Sequence, residues 1–425
     1  MFYIPCNLGF EEEVVTEIKE SWPWLISPNG GANTFPYPEI EIDRGGVSVD
    51  VPLEFGVQFN FFLKTAHRVL WRLADFKTRD FPKLFEKVKQ IPWEKYLSSD
   101  QVEWVVAASK SRLNNEKRIE ETCAEAFAKS VGAKQLGKSL TQFPQKIFVR
   151  VFDDHCTISL DSSGEHLHKR GWGTRKGEAP LRETLAAFML RKMMNEASPA
   201  ELAQITLVDP MCGSGTLLLE GISLWRPNFA RDFSFFNWKH SPKIFKTELW
   251  RKNYKLLGSD HPFGAYVGYD FDEKILMAAR ENFADLQNLT VEGSTRDVQL
   301  SFEIQNLFAN GNLSPAATAV GKIWCVANPP YGERLRVQGQ SHGQLHGKGQ
   351  AEFFYDDLLA KIASKFNADK LGILLPDKLI VKNLKSLAGY EKTMEFSFSN
   401  GGLDVIFLIY IKSKPTEARQ HPPKH

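Results

Sequence analysis

No stretch of this 425-residue chain approaches the roughly 20 consecutive apolar residues that a membrane-spanning helix needs. The opening Met1-Phe2-Tyr3-Ile4-Pro5 lacks the basic start and long apolar run of a secretory signal, so a cytosolic location is the default expectation. Cysteine is scarce. Cys6, Cys123, Cys156, Cys212 and Cys325 are scattered, odd in number, and form no CxxC pair or Cys/His set at ligand spacing. They read as buried, reduced thiols, and no structural zinc or other metal is expected. A strong excess of one charge is missing too. A net charge of +2 does not by itself announce a nucleic-acid partner, and the local distribution of charge must decide that question. There is no internal repeat. What the chain does have is length and 43% hydrophobic residues, enough for two or three domains with their own cores.

Apolar periodicity places the elements. Val14, Val15 and Ile18 at helical spacing predict a helix over Glu11–Trp22, followed by a Gly/Pro/Asn-rich turn, Ser27–Pro38. Between Asn60 and Leu160 short strands (Glu103–Val106, Lys146–Phe152, Cys156–Leu160) mix with helices (Phe81–Gln90, Lys117–Val131), an α+β pattern. After Asp161 a basic connector, Lys169-Arg170-Gly171-Trp172-Gly173-Thr174-Arg175-Lys176-Gly177, leads to a helix from about Pro180. From Ile205 on, strands at Ile205–Val208, Tyr266–Tyr269, Ser301–Ile304, Ile323–Ala327 and Gly372–Leu375 alternate with helix signals, which predicts a parallel, doubly wound α/β sheet. The segment Val337–Gln350 and a polar tail over 414–425 are compositionally biased.

The first of these parallel strands runs into Asp209-Pro210-Met211-Cys212-Gly213-Ser214-Gly215-Thr216 and then an apolar helix. Glycines at such a strand-to-helix turn let the backbone approach a ligand beside the strand ends. The string resembles the first motif of S-adenosylmethionine-dependent methyltransferases that modify exocyclic amines. A second acid should end the next strand, where its carboxylate can accept both ribose hydroxyls. Asp270 fits, with Asp260 as a rival. Asp270 lies much further past the glycines than the ~20 residues usual in dinucleotide folds, so the aromatic-rich Phe229–Tyr254 reads as an insertion. After the third strand Asn306 offers an amide oxygen for the adenine amine, unless it only makes a local turn. Upstream, Ala179, Leu181 and Thr184 begin a helix whose open N–H groups suit the methionine carboxylate; a plain helix start is the alternative.

The fourth strand ends in Asn328-Pro329-Pro330-Tyr331. An exocyclic amine is a poor nucleophile because its lone pair is delocalised into the ring. An enzyme must hold it near the methyl group and accept its N–H bonds as charge develops. Asn328 brings a side-chain oxygen, Pro329 a backbone oxygen, and Tyr331 a ring that can stack on an extruded base. Neither a metal nor a covalent nucleophile is required.

With Leu167-His168-Lys169-Arg170-Gly171, Ala179-Pro180-Leu181-Arg182-Glu183-Thr184 and Asn400-Gly401-Gly402-Leu403-Asp404, these motifs make nearly the whole chain resemble THUMP-domain RNA methyltransferases, especially bacterial large-subunit ribosomal RNA guanine-N2 methyltransferases. Asn306 stands where that family would have an acid. The resemblance implies a ferredoxin-like region over 1–60, a THUMP RNA-binding domain over 61–160 and a Rossmann-like methyltransferase domain over 161–413. It implies S-adenosylmethionine as cofactor, RNA as partner and, because a second methyltransferase domain is not present before His425, one activity. Thr65–Lys77 resembles the start of the THUMP module. In that module Lys110, Arg112, Lys117 and Arg118 cluster where a phosphate could reach them, or are simply a solvated helix start. Lys169, Arg170, Arg175 and Lys176 around Trp172 form a basic run with an aromatic that suits single-stranded RNA. Two rivals remain at this level: a DNA adenine-N6 methyltransferase, which would use the same loop, and a catalytically idle RNA-binding assembly factor.

Overall fold

A computed structural model describes residues 1–27, 30–132, 144–177, 181–246, 250, 261–289, 298–309, 321–330, 348–400 and 402–413. The chain forms two compact units. The first comprises Met1–Trp172, Ser223–Asp260 and Leu286–Thr295; the second comprises Gly173–Ile222, His261–Asp285 and Arg296–His425.

The first unit is built on a seven-stranded sheet. Its strands are β1 (Phe2–Pro5), β2 (Ile40–Asp43), β3 (Gly46–Val49), β4 (Leu70–Lys77), β5 (Val102–Ser109), β6 (Gln145–Phe152) and β7 (His155–Asp161), in the order β2-β3-β1-β4-β7-β6-β5. Strands β5 and β6 are parallel; the other neighbours are antiparallel. Because β1 pairs with β4 (Phe2 opposite Trp71, Tyr3 opposite Leu70), a single sheet runs across the expected boundary at residue 60. Strand β6 shows the period-2 pattern of a sheet with one covered face: Ile147, Val149 and Val151 are buried, while Arg150 and Phe152 are exposed.

Helices α1 (Glu11–Ser21), α2 (Phe81–Lys89) and α3 (Glu116–Val131) supply the covering layer. Helix α2 starts at Asp80, whose carboxylate accepts the Lys83 N–H at 2.7 Å. Helix α3 starts at Asn115, whose side chain accepts the Arg118 N–H at 3.0 Å. Their inward stripes, Leu84 and Val88 on α2 and Ile119, Cys123, Ala126 and Phe127 on α3, are buried.

The aromatic insertion is placed differently from the sequence expectation, which kept it inside a methyltransferase domain over 161–413. It groups with the first unit. Phe61 lies 5.1 Å from Trp250, in a stacked arrangement, and 5.2 and 5.3 Å from Phe229 and Phe233. Arg231 ties the insertion down by donating to the carbonyls of Ser163, Glu165, His166 and Lys169. Several rings per turn of chain bury enough apolar area to choose their own partner, which spacing alone does not reveal.

The second unit holds β8 (Ile205–Asp209), β9 (Ala265–Asp270), β10 (Leu300–Ile304), β11 (Lys322–Ala327), β12 (Lys370–Leu375), β13 (Tyr390–Asn400) and β14 (Leu403–Lys412), in the order β10-β9-β8-β11-β12-β14-β13. Strands β8 to β12 are mutually parallel; β14 returns antiparallel to β12 and pairs with β13 as a hairpin. Every residue of β8 is buried, as a strand covered on both faces requires. Its helices include α4 (Glu183–Met194), α5 (Thr216–Ser223), α6 (Glu273–Leu289) and α7 (Lys348–Phe366). From β8 the chain proceeds outward to β9 and β10, then crosses back to β11 on the other side. The strand order reverses between β8 and β11, the place where open α/β sheets bind ligands. Among the described residues no helix is long and apolar enough to cross a membrane. All five cysteines are buried and unbridged.

Candidate active site

The glycine turn follows β8 at that reversal. Gly213 (φ +52°) and Gly215 (φ +85°) both occupy the left-handed region that other residues adopt at a cost. A side chain built on Gly213 would meet nothing within 4 Å, so the turn faces open space there. The turn is locked to the end of β9. The Cys212 N–H donates to the Tyr269 carbonyl at 2.8 Å, and the Gly213 N–H donates to Asp270 Oδ2 at 3.0 Å. The other Asp270 oxygen accepts the Asp272 N–H at 3.0 Å. Burial pushes the Asp270 carboxyl above its usual range, against the pull of these N–H donors. Each carboxylate oxygen has further lone pairs, which point a diol acceptor at the turn. The rival acid, Asp260, lies outside the described residues.

Asp209 closes the floor of the turn. It is fully enclosed and accepts the Met211 N–H at 3.1 Å. Burial, reinforced by the charge of Asp270, raises its carboxyl to about 8. Pro210 and Ser214 are buried beside it, Cys212 tucks inward, and Thr216 opens α5. Gly268 makes that packing possible: a Cβ there would lie 2.8 Å from Phe302 and 2.9 Å from both Cys212 and Leu218.

Helix α4 begins after Arg182 without a side-chain cap, leaving its first-turn N–H groups to other acceptors. Leu181 and Thr184 are buried at this start; Ala179 lies outside the described residues. Glu183, also buried, pairs with Lys176 at 2.9 Å through one oxygen, while its Oε2 has no hydrogen-bond partner. Gln305 Oε1, next to Asn306, is a second buried acceptor with none. Two orphaned acceptors, an uncapped helix start, an end-of-strand carboxylate and an open glycine turn fit a ligand that carries donors, a carboxylate and a ribose, as S-adenosylmethionine does. Asn306 makes the local turn that was the alternative for it: its oxygen accepts the Phe308 N–H at 2.9 Å.

Across the reversal, β11 ends in Asn328, Pro329 and Pro330, of which Pro329 is buried and the others are half-buried. Tyr331 lies outside the described residues. The loop is held from α7: Tyr355, fully buried, donates its hydroxyl to the Pro330 carbonyl at 3.2 Å. Asn282 on α6 performs a similar service for the glycine turn. Its side-chain nitrogen donates to the Ser214 carbonyl at 3.1 Å and to the Arg175 carbonyl at 2.8 Å, while its oxygen accepts the Arg175 N–H. Sequence reasoning missed both residues, because an aromatic or an asparagine inside a helix carries no signal of the loop it reaches.

The connector is corrected. Arg170 is buried and donates to the carbonyls of Leu167 and Lys64, and Trp172 is buried as well. Arg175 pairs with Glu281 and Asp285, both at 2.5 Å, and Lys176 with Glu183. Burial withdraws Arg170 and Trp172 as RNA contacts, while Arg175 and Lys176 keep part of their side chains exposed beside their carboxylate partners. Lys169, exposed, pairs with Glu165. In the first unit Arg118 stacks over Phe81 at 4.1 Å and Lys110 lies 5.5 Å from the Phe152 ring centre; Arg112 uses its N–H on Asp154, and Lys117 is exposed.

A doubly wound sheet with a glycine turn, an end-of-strand acid and an Asn-Pro-Pro loop at the ends of neighbouring parallel strands defines a Rossmann-like methyltransferase, whose methyl donor is S-adenosylmethionine. The chain belongs to the family described as RMKL-like, methyltransferase domain, which matches residues 170–403; a THUMP domain matches residues 78–161. It is 30% identical, over 88% of its length, to the ribosomal RNA large subunit methyltransferase K/L of Syntrophotalea carbinolica, and spans about half the length (50%) of that relative. YpsC of Bacillus subtilis, named as a candidate RNA methyltransferase, is 30% identical over 74% of this chain and 78% of its own. Among solved structures, a candidate methyltransferase complexed with SAH shares the fold with a TM-score of 0.70 at 22% identity, covering 98% of both chains.

Proposed function

We propose that this chain methylates the exocyclic N2 amine of a guanosine in RNA, with large-subunit ribosomal RNA as the substrate and the cytoplasm as the setting. The observation that carries the reading is the Asn328-Pro329-Pro330 loop at the end of β11, the strand beside the glycine-turn strand β8. Bound S-adenosylmethionine supplies an electrophilic methyl group. Asp270 accepts the ribose hydroxyls, the start of α4 near Leu181 and Thr184 receives the carboxylate, and the orphaned Glu183 oxygen accepts from the ammonium. Asn306 keeps its turn and lies along the adenine.

At the reacting centre Asn328 Oδ1 and the Pro329 carbonyl accept the two amine hydrogens, which pulls the nitrogen lone pair out of conjugation and aims it at the methyl group. Tyr331 stacks on the base. Lys110, Arg112, Lys117, Arg118 and Lys169 meet backbone phosphates, which position the RNA without reading its sequence. The name of the Syntrophotalea relative supports ribosomal RNA as the first substrate to try.

The test is nucleoside mass spectrometry after reaction of the purified protein with unmodified ribosomal and transfer RNA. N2-methylguanine in large-subunit RNA is expected. N6-methyladenine as the sole product would overturn the base assignment, and product confined to transfer RNA would overturn the substrate.

A further inference from the structure

The first sheet carries a strip of alternating cations and rings, of which the reading above uses only Lys110. Arg150 and Phe152 project from the uncovered side of β6, opposite the buried Ile147, Val149 and Val151. The Arg150 guanidinium lies 5.6 Å from the Phe152 ring centre, with Lys110 on the same ring at 5.5 Å. Arg150 also reaches the hydroxyl of Tyr3 on β1 at 3.4 Å, and Arg72 on β4 lies 5.5 Å from the Tyr3 ring. Arg72, Tyr3, Arg150, Phe152 and Lys110 therefore form one continuous series from three strands of the sheet, β4, β1 and β6, and the loop after β5.

Of the nearby acids, Asp43 lies beside Tyr3 and accepts from the Ser48 hydroxyl at 3.1 Å, and two others face cations or a histidine. Asp75 is held by His155 at 2.8 Å and faces Arg72 at 3.9 Å, and Glu103 faces Lys146 at 3.9 Å. Arg150 and Lys110 have no carboxylate partner among the described residues, and Phe152 is 41% exposed between them. A large ring left in water beside two uncompensated cations is unfavourable for folding alone. It is complementary to a ligand that brings both a π face and a negative charge at every step.

We propose that this strip is a docking surface for single-stranded RNA, with a base stacked on Phe152 and phosphates on Arg150 and Lys110. The proposal rests on the RNA reading above. Exposed rings on a sheet with flanking cations suit unpaired bases, whose faces are accessible, whereas a duplex hides its bases and offers only phosphates.

Binding of a polyuridine oligonucleotide and of a blunt RNA duplex by the full chain, followed by fluorescence anisotropy at two salt concentrations, tests it. Phe152→Ala and Phe152→Leu should both weaken polyuridine binding about tenfold, since leucine keeps the bulk and loses the π face. Arg150→Gln and Lys110→Gln should each flatten the salt dependence by about one phosphate contact. S-adenosylmethionine affinity should stay at the wild-type value throughout. Unchanged polyuridine affinity in these variants would overturn the proposal, as would equal losses for polyuridine and duplex, which would reduce the strip to a patch of charge. Wild-type protein that still methylates RNA in that case leaves the reaction standing; wild-type protein that neither binds nor methylates RNA removes both.

Discussion

The Tyr355 hydroxyl donates to the Pro330 carbonyl at 3.2 Å, from a helix position with no solvent exposure. The loop proposed to hold the amine is thus fixed two residues past Asn328 by a buried side chain of α7. Tyr355→Phe keeps the ring and deletes the bond. A slight loss of loop alignment lowers the fraction of bound substrate in reacting geometry. Single-turnover methyl transfer should fall about three- to tenfold with cofactor affinity unchanged. A wild-type rate in Tyr355→Phe would show that the proline ring geometry alone holds the loop.

Asn328→Ala removes one of the two acceptors assigned to the amine. Deleting a preorganised polar group at a reacting centre costs about 10²-fold or more in rate. The loss should appear in the single-turnover rate, while calorimetry finds S-adenosylmethionine binding close to wild type.

Asp270 holds the Gly213 N–H as well as the proposed ribose hydroxyls. Asp270→Ala should therefore weaken S-adenosylmethionine binding by about 1.5–3 kcal/mol, from the lost charge-assisted bonds and a looser turn. Asp270→Asn, which retains one acceptor oxygen, should fall between the two. Equal affinities for all three proteins, measured by calorimetry, would move the ribose contact elsewhere.

The pH dependence of stability should carry the mark of Asp209. Burial raises its carboxyl to about 8 in the folded protein, against about 3.9 in an unfolded chain. Between those values the folded state keeps a proton that the unfolded state has lost. Folding is then favoured less as pH rises, so stability contributed by the protonated group is complete below about pH 4 and declines up to about pH 8. Asp209→Asn, which can still accept from Met211, should flatten that decline. Urea midpoints at three pH values across the window would measure it, and parallel slopes for both proteins would contradict the assignment.

Much of this was legible in the sequence, for identifiable reasons. Strands such as Ile205–Asp209 and Ala265–Asp270 are largely apolar runs that end in an acid, and the two motifs follow the first of them and Lys322–Ala327. Capped helices such as Glu116–Val131 announce themselves by Asn115 and by periodic burial. The connector misled because charge along a chain does not say which carboxylates the fold will bring to it: Glu281 and Asp285 lie more than a hundred residues from Arg175. Asn282 and Tyr355 were invisible for the same reason, since their partners are carbonyls, which every residue has.

The aromatic insertion has a consequence for synthesis. Phe61 waits in the nascent chain for Phe229, Phe233 and Trp250, and between them the ribosome must make the connector, α4, β8 and the glycine turn. At typical elongation rates that interval is on the order of ten seconds. The first unit thus stays unfinished, with its phenylalanines uncovered, while the start of the second is being extruded. Neither unit can be released by a single cut, because the chain enters the second and returns to the first before completing either. A fragment that starts at Asp161 would keep these rings and lose Phe61, leaving a cluster prone to self-association where the intact chain has a core.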